Sequence, residues 1–481
     1  HSGDGKANQY FLRGFNLDHG TDFATTVNGV PVNMPSHGHG QGYTDLNFLM
    51  PELVQRIGYR KGPYFAENGD FSAAGSADIV YRTQLDAPFA QLSLGEHAFR
   101  RLLGAGSTTL AGGHTLLGAV ELSGNNGPWT VPGRLRRANL LLTASTGTAA
   151  EGASASLMAY DAEWTATDQV PERLIDGRVP GAAPFGRFDS LDATSGGRTA
   201  RHSLSGEWHR RQGDGQTRVS AYAMRYSLAL YSNFSYAMER PAQGDQFLQR
   251  DARSVYGASA SRSIEHAFGE RAARSEFGVQ LRHDRARVGL FESAARRVTA
   301  TTREDVVRQT SLGVYGQTAV QWTPWLRSVA GLRVDHFDFR VEGRSGLGNS
   351  AANTGRADAL QWSPKLSLVL GPWADTEFFF NAGRGFHSND ARGATAPVDP
   401  VPGLAASRGM EIGVRTEWIA GLQSSLALWR LHADSELVYV GDAGTTEASA
   451  GSRRRGIEWN NRWIPKPWLL FDADFAWTHA R

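Results

Sequence analysis

A mostly-β chain is predicted, in which a small α+β unit precedes a large antiparallel β-barrel, and three observations predict it. From about residue 88 onward, apolar and polar side chains alternate with a period of two, in segments of roughly ten or more residues. Short links and long polar links between these segments take turns along the chain, as they would in a barrel with two unlike ends. Trp322, Trp325, Trp373, Trp418, Trp463 and Trp468 all lie at or beside short links, where amphipathic rings would form an interfacial belt.

The first unit, residues 1–84, is built differently. Short apolar strands are expected in QYFLRGF, TTVNGVPV and ADIVY, and a helix in LMPELVQRIG, where Pro51 in the first turn costs no hydrogen bond. The unit is thin in apolar residues and needs a larger body to cover it. Between its strands lies VNMPSHGHGQGYTD, residues 32–45, with two His and three Gly in the six residues from His37 to Gly42. The glycines let the backbone come close to a ligand. His37 and His39, one residue apart in an extended loop, can face the same way and ligate a transition metal or a chelator's carboxylate. Packing against a neighbouring wall is the ordinary alternative.

The second unit, residues 85–481, carries the alternation. In LLFDADFAWTH, Leu469, Phe471, Ala473, Phe475 and Trp477 share a face opposite Asp472, Asp474 and Thr478. In TSLGVYGQTAVQW, Leu312, Val314, Val320 and Trp322 oppose Ser311, Gln317 and Gln321; in LALWRLHADSE, Ala427, Trp429, Leu431 and Ala433 oppose Arg430, His432, Asp434 and Glu436. Short links fall at 111–113, 148–152, 212–216, 268–273, 323–325, 371–375, 420–422 and 465–467. Long ones include 167–199, 233–251, 343–357, 388–406 and 441–452. This is the pattern of a transmembrane barrel with lipid on its outer face. About 17 strands fit between Phe89 and Arg481, an odd number that an antiparallel ring does not close, whereas plugged transporters use about 22. The chain therefore reads as a fragment lacking roughly five strands.

Composition narrows the function classes. The 481 residues hold 50 basic and 48 acidic side chains, spread without a basic stripe, which gives no case for nucleic acid. Cysteine is absent, so no disulfide staples the fold. No apolar run approaches the roughly 20 residues of a membrane-spanning helix. HSGDGKANQYF shows no signal peptide. The zinc-protease, P-loop and nucleophile-elbow motifs are missing, and the expectation is a protein that is not an enzyme and carries no cofactor.

The order YFLRGF (10–15), VNGVPV (27–32), PELVQRIGYRKGP (51–63) and GDFSAAGSADIVY (69–81) resembles the plug domain of TonB-dependent outer-membrane receptors. FFFNAGRGFHSND (378–390) and GMEIGVRTEW (409–418) resemble barrel segments of that family. Two departures stand out: Lys61-Gly62-Pro63 where the family commonly has Arg-Gly-Pro, and Ser76 after Gly75 where it has paired glycines. The resemblance implies a plugged transmembrane barrel of the 22-strand type in the bacterial outer membrane, with the first unit as plug. It implies active import of a scarce substrate, above all an iron–siderophore complex, driven by the TonB–ExbB–ExbD complex through a TonB box that would precede residue 1. Zinc, copper, cobalamin or another chelate is the alternative cargo, and a passive porin-like channel the alternative mechanism.

The candidate ligand-binding residues are His37, His39, Gln41 and Tyr43 in the plug loop, His19 with Asp18 and Asp22 in NLDHGTD, and His387, Asp390 and Arg392 in a long link. His37 and His39 are the candidate metal ligands. Tyr231, Phe234 and Tyr236 suit either an aromatic chelate or the outer aromatic belt. Arg13, expected on a strand, and Lys61 are the candidate latch between plug and barrel.

Overall fold

The computed structural model describes residues 8, 10–17, 20–168, 170–175, 185–345, 354–435, 437–440, 445–448 and 450–481. Asp18 and His19 lie outside the described residues. The first unit begins with a hairpin, β1 (Tyr10–Leu12) and β2 (Phe15–Leu17), turned at Arg13 and Gly14 with φ of 50° and 72°. A four-stranded sheet follows, made from β3 (Phe23–Val27), β4 (Val30–Pro31), β5 (Val54–Lys61) and β6 (Gly75–Tyr81) in the order β4-β3-β6-β5. β3 and β6 run parallel and the other pairs antiparallel. Asn28 and Gly29, with φ of 47° and 74°, make the tight turn that joins β3 to β4.

The expected helix over LMPELVQRIG is not there. Pro51–Leu53 form one 3-10 turn, and the chain then straightens into β5. The apolar spacing would serve a helix, but the partner strand offers more: β5 pairs with β6 from Val54 to Lys61, and Val54, Ile57 and Tyr59 suit that edge. Propensity yields here to the partner strand.

The second unit is a wall of seventeen strands in sequence order. They are β7 (Phe89–Leu94), β8 (Arg100–Thr109), β9 (Thr115–Asn125), β10 (Leu135–Gly147), β11 (Glu151–Thr165), β12 (Gly196–Gln212), β13 (Gly215–Ser232), β14 (Phe247–Phe268) and β15 (Arg271–Ala294). Then come β16 (Arg297–Thr323), β17 (Leu326–Ser345), β18 (Gly355–Trp373), β19 (Thr376–Ser388), β20 (Leu404–Thr416) and β21 (Leu422–Ala433). A separate hairpin, β22 (Leu437–Val440) and β23 (Thr445–Ala448), precedes the last two wall strands, β24 (Ser452–Lys466) and β25 (Leu469–Ala480). The strand order runs full circle and brings β25 beside β7, which corrects the expectation of an open edge, although among the described residues no ladder of paired residues joins those two as it joins every other neighbouring pair. The odd count still tells: consecutive strands are antiparallel, which leaves β7 and β25 pointing the same way.

Each expected short link is a tight turn, and the Trp belt stands at that end. Trp325 stacks on Trp373 at 6.1 Å, Trp322 meets Phe268 edge-on at 5.8 Å, and Trp463 stacks on Phe471 at 5.7 Å. Length at the other end is less regular. Between β15 and β16 only residues 295 and 296 intervene, because both strands run far past their neighbours, to 24 and 27 residues. The 95–99 link between β7 and β8 is short as well.

Plug and wall share their core. Val27, Met50, Leu53 and Ile79 of the first unit pack in one buried cluster with Leu103, Leu117, Leu141 and Met158 of the wall. At about 1.5–3 kcal/mol for each apolar side chain buried, the wall supplies what the small unit lacks. A second cluster corrects the reading of LALWRLHADSE: Trp429 and Leu431 point inward onto Leu17 and Ala74, and Leu426 and Leu428 are the exposed residues. The apolar face of β21 thus changes side along its length, because the plug asks for apolar cover at that height.

Candidate functional site

The junction of plug and wall has two levels. The upper one is the 33–45 loop, which faces the start of β14, where the long 233–246 link enters, and the link after β19. His37 and His39 both face β14, two residues apart like the Asp251 and Gln249 they meet. His37 is fully buried, stacks on Tyr43 with ring centres 4.1 Å apart, and has Nε2 3.8 Å from Asp251 Oδ2. Its Nδ1 accepts the His39 backbone N–H at 3.1 Å. His39 Nδ1 lies 2.7 Å from Gln249 Oε1. Gly38 donates its N–H to Asp251 at 3.2 Å, and a Cβ on Gly38 would fall 2.7 Å from the Arg250 carbonyl oxygen. Only glycine lets the loop come so near the wall.

Arg253 organises this contact. Its guanidinium forks onto Asp251 at 2.6 and 2.8 Å, reaches Asp284 at 3.4 Å and donates to the Ser36 carbonyl. Ser36 Oγ donates to Gln309 at 3.2 Å and accepts the Ala391 N–H at 2.8 Å. Gln41 donates to the Ser388 carbonyl at 2.5 Å. Asp390 caps the four-residue helix α1 (Ala391–Ala394) and holds Arg392 in a fork at 2.8 and 2.6 Å, while Arg392 also donates to the His37 carbonyl at 3.0 Å. His387 Nδ1 is 2.8 Å from Asp22 Oδ1. Asp70 accepts both the N–H and the hydroxyl of Ser388, at 2.6 and 2.5 Å. Burial outweighs these bonds and raises the Asp70 carboxyl to about 6. Asp45 is raised to about 6 as well, by burial opposed by bonds from Asn47.

The predicted residues are therefore gathered, but mostly as wall contacts: His37, Gln41, Tyr43, His387 and Asp390 are buried, and His39 and Arg392 are half-buried. Among the described residues, no three or more His, Asp or Glu side chains are grouped to hold a metal ion. Phe234 packs at a tilt against Phe247, ring centres 5.5 Å apart, and the Arg296 guanidinium covers Tyr231 at 5.6 Å.

The lower level carries Arg13 and Lys61. Arg13 sits in the β1–β2 turn, not on a strand, which frees its side chain to reach the wall. Its guanidinium meets Glu458 at 3.1 Å, contacts Glu411 and lies 5.1 Å over the Trp429 ring. Burial works against its charge; the two carboxylates outweigh that and hold it protonated above the ordinary arginine range. Lys61 Nζ reaches the other Glu458 oxygen at 3.1 Å. Pro63, next along the KGP run, rests on Gly383 and Gly385 of β19 and Gly409 of β20, where any Cβ would collide with it. Lys365 donates to the Pro63 carbonyl at 2.8 Å. On the far side, Arg101 forks onto Glu52 at 2.6 and 2.9 Å and pairs with Glu121.

Sequence reasoning missed these wall partners. Glu411, Glu458, Asp251 and Arg253 are ionic residues on the inward parity of long strands, a signal readable only once the inward face is known.

A closed wall stoppered by a separately built unit narrows the families the chain can join. A model of the TonB-dependent receptor plug domain matches residues 1–76, and one of the TonB-dependent receptor-like β-barrel matches residues 123–481. This chain belongs to the TonB-dependent receptors. The receptor's barrel is of the outer-membrane type, and family and fold are those of transport proteins. The unliganded ferric citrate transporter FecA superposes with a TM-score of 0.80 at 14% identity, over 98% of this chain and 71% of that one. The siderophore receptor PiuA from Acinetobacter baumannii gives 0.78 at 12%, over 100% and 74%. FpvA from Pseudomonas aeruginosa PAO1, bound to pyoverdine, gives 0.76 at 14%, over 100% and 73%. At such identities the likeness is one of fold, and the receptor spans roughly three quarters of those chains.

Proposed function

We propose that this receptor imports an iron–siderophore complex across the bacterial outer membrane, with the TonB–ExbB–ExbD complex drawing on the plug. The observation that carries this reading is the plug–wall junction. The lumen holds a unit tied to the wall by ion pairs and hydrogen bonds beside the shared apolar clusters; the polar ties can be exchanged for water bonds, and a passive channel has no use for such a stopper. The three solved structures named above are, by their titles, a ferric citrate transporter, a siderophore receptor and a receptor holding pyoverdine, which supports an iron chelate over zinc, copper or cobalamin. Cargo would arrive from the long-link end, where His39 and Arg392, the half-buried members of the upper level, are placed to meet it. His37, Gln41, Tyr43, His387 and Asp390 would act beneath them by holding the loop to the wall, and Arg13 and Lys61 would latch the plug below.

The test is uptake by cells lacking their own siderophore receptors and expressing this protein at full natural length. A panel of radio-iron siderophores is offered, with labelled zinc, copper and cobalamin as comparators. Uptake of at least one ferric chelate that disappears in a TonB-deficient strain is expected. Accumulation of another cargo alone, or iron uptake indifferent to TonB, would overturn the reading.

A further inference from the structure

The outer face of the wall carries a feature that import does not use. Arg285 on β15 stands directly opposite Arg308 on β16, Arg308 opposite Arg340 on β17, and Arg340 opposite Arg356 on β18. Four arginines thus form an unbroken cross-strand line. Beyond Ser254 the same register continues to Arg225 on β13 and His202 on β12. Inward neighbours such as Tyr226, Asp284 and Val307 are buried, so this parity points outward.

Like charges directly opposite on a sheet repel, and neighbouring strands bring them to about 5 Å. The acids nearby on this face, Glu342, Asp338 and Asp358, are fewer than the arginines and do not cancel the line. Arg308 pairs with Glu342, and Arg340 with Asp338 at 2.8 Å. Among the described residues, no carboxylate lies within ion-pair distance of Arg225, Arg285 or Arg356. An anion from outside the chain would relieve the repulsion, and planar guanidinium groups fit phosphate oxygens in pairs.

Position selects the kind of phosphate. Two registers toward the short turns the same outward parity reads Ala258, Leu281, Leu312, His336, Leu360, and one register further Val279, Val314, Val334, Trp362. Leu281, Leu312, Leu360, Val314 and Trp362 are exposed, as an acyl-facing belt requires. Between the two lies one register, Tyr256, His283, Thr310, Asp338 and Asp358, so the arginine line stands just beyond the belt on its long-link side, where the headgroups of the surrounding leaflet lie.

We propose that this line, with Arg225 at its end, binds the phosphate groups of a phosphorylated lipid in the leaflet facing outward from the cell. Acyl chains would lie on the apolar registers below, and the arginines would bridge headgroup phosphates at the border. The proposal rests on the membrane placement put forward above and not on the identity of the cargo.

Binding is measured on the purified full-length receptor in neutral detergent by native mass spectrometry, with bisphosphorylated lipid A and the same lipid after phosphatase treatment as probes. Wild type is expected to prefer the phosphorylated lipid by at least about tenfold. R225Q/R285Q/R356Q should lose that preference, and R225K/R285K/R356K should keep most of it. Equal binding of the two lipids by wild type, or undiminished preference in the glutamine variant, would overturn the proposal. Should the triple variant fail to fold, R285Q alone and the wild-type comparison still decide. Fractionation of the receptor outside the outer membrane would instead refute the placement, which separates the two failures.

Discussion

Replacing Arg13 with methionine should loosen the plug without touching the wall. Arg13 is 7% exposed and shared between Glu411 and Glu458. Its loss leaves Glu411 with only the Asn381 amide, at 3.3 Å, and Glu458 with Lys61. Breaking one side of such a buried network costs roughly 3–5 kcal/mol, and the lost stacking on Trp429 adds about 1 kcal/mol at most. Taking about 3 kcal/mol as the share felt by plug docking, the undocked population should rise roughly a hundredfold. Hydrogen exchange of the purified receptor reads this directly: peptides covering β1, β2 and β5 should lose protection, while those of β14–β16 keep theirs. A compensating set sharpens the test. R13M/E411Q/E458Q removes both carboxylates together with the arginine, leaves Lys61 as the one remaining charge, 24% exposed and within reach of water, and should recover most of the protection, since a charge that water reaches costs far less than a buried unpaired carboxylate. Unchanged exchange in R13M, or a triple variant worse than the single, would refute the argument that the ion pairs hold the turn to the wall.

Three further outcomes are expected. Asp70 and Asp45 keep their protons up to about pH 6 in the folded receptor and release them near 3.8 when unfolded, so each contributes stability that is full below about 3.8 and lost as pH rises through 6. The loss is about 3 kcal/mol apiece by the size of the shift, and denaturation of D45N/D70N should show a flatter dependence than wild type between pH 4 and 6. Gly383→Val places a side chain where Pro63 rests, and should raise plug exchange and detergent-extracted proteolysis at 54–63 while the wall remains folded. H39A/R392A should weaken binding of the transported chelate roughly tenfold or more, whereas H37A should act mainly by loosening the loop; equal chelate affinity in all three proteins would remove the upper level from cargo recognition.

Much of the architecture was legible in the chain alone because two periodicities are written in it. Alternation in segments such as LLFDADFAWTH marks strands, and turn residues in runs such as QGDGQ mark where they reverse. Those local signals need no partner, so the wall, its turns and the tryptophans at them follow from sequence, as do the plug strands around VNGVPV. The helix at LMPELVQRIG failed for the opposite reason: its fate was settled by β6, a strand about twenty residues further on, which offered backbone bonds along the whole of β5.

The candidate site divides the same way. Residue type marked His37, His39, Asp390 and Arg392 as groups able to meet a ligand and Arg13 as one that would pair with an inward carboxylate, because a thin unit in a lined bore cannot leave an arginine unpaired. Which partners they find was decided by strand register, which sets the inward residue at each height: Asp251 and Gln249 opposite the loop, Glu411 and Glu458 opposite the turn. Sequence by itself determined what kind of wall and what kind of stopper this chain makes, since spacing of apolar residues is a local property. Only the tertiary structure decided which side chains meet across hundreds of residues and which face lipid, as β21 shows by turning Trp429 and Leu431 inward to the plug while Leu426 and Leu428 face out. Contact across a barrel depends on register and closure, and no stretch of sequence carries either alone.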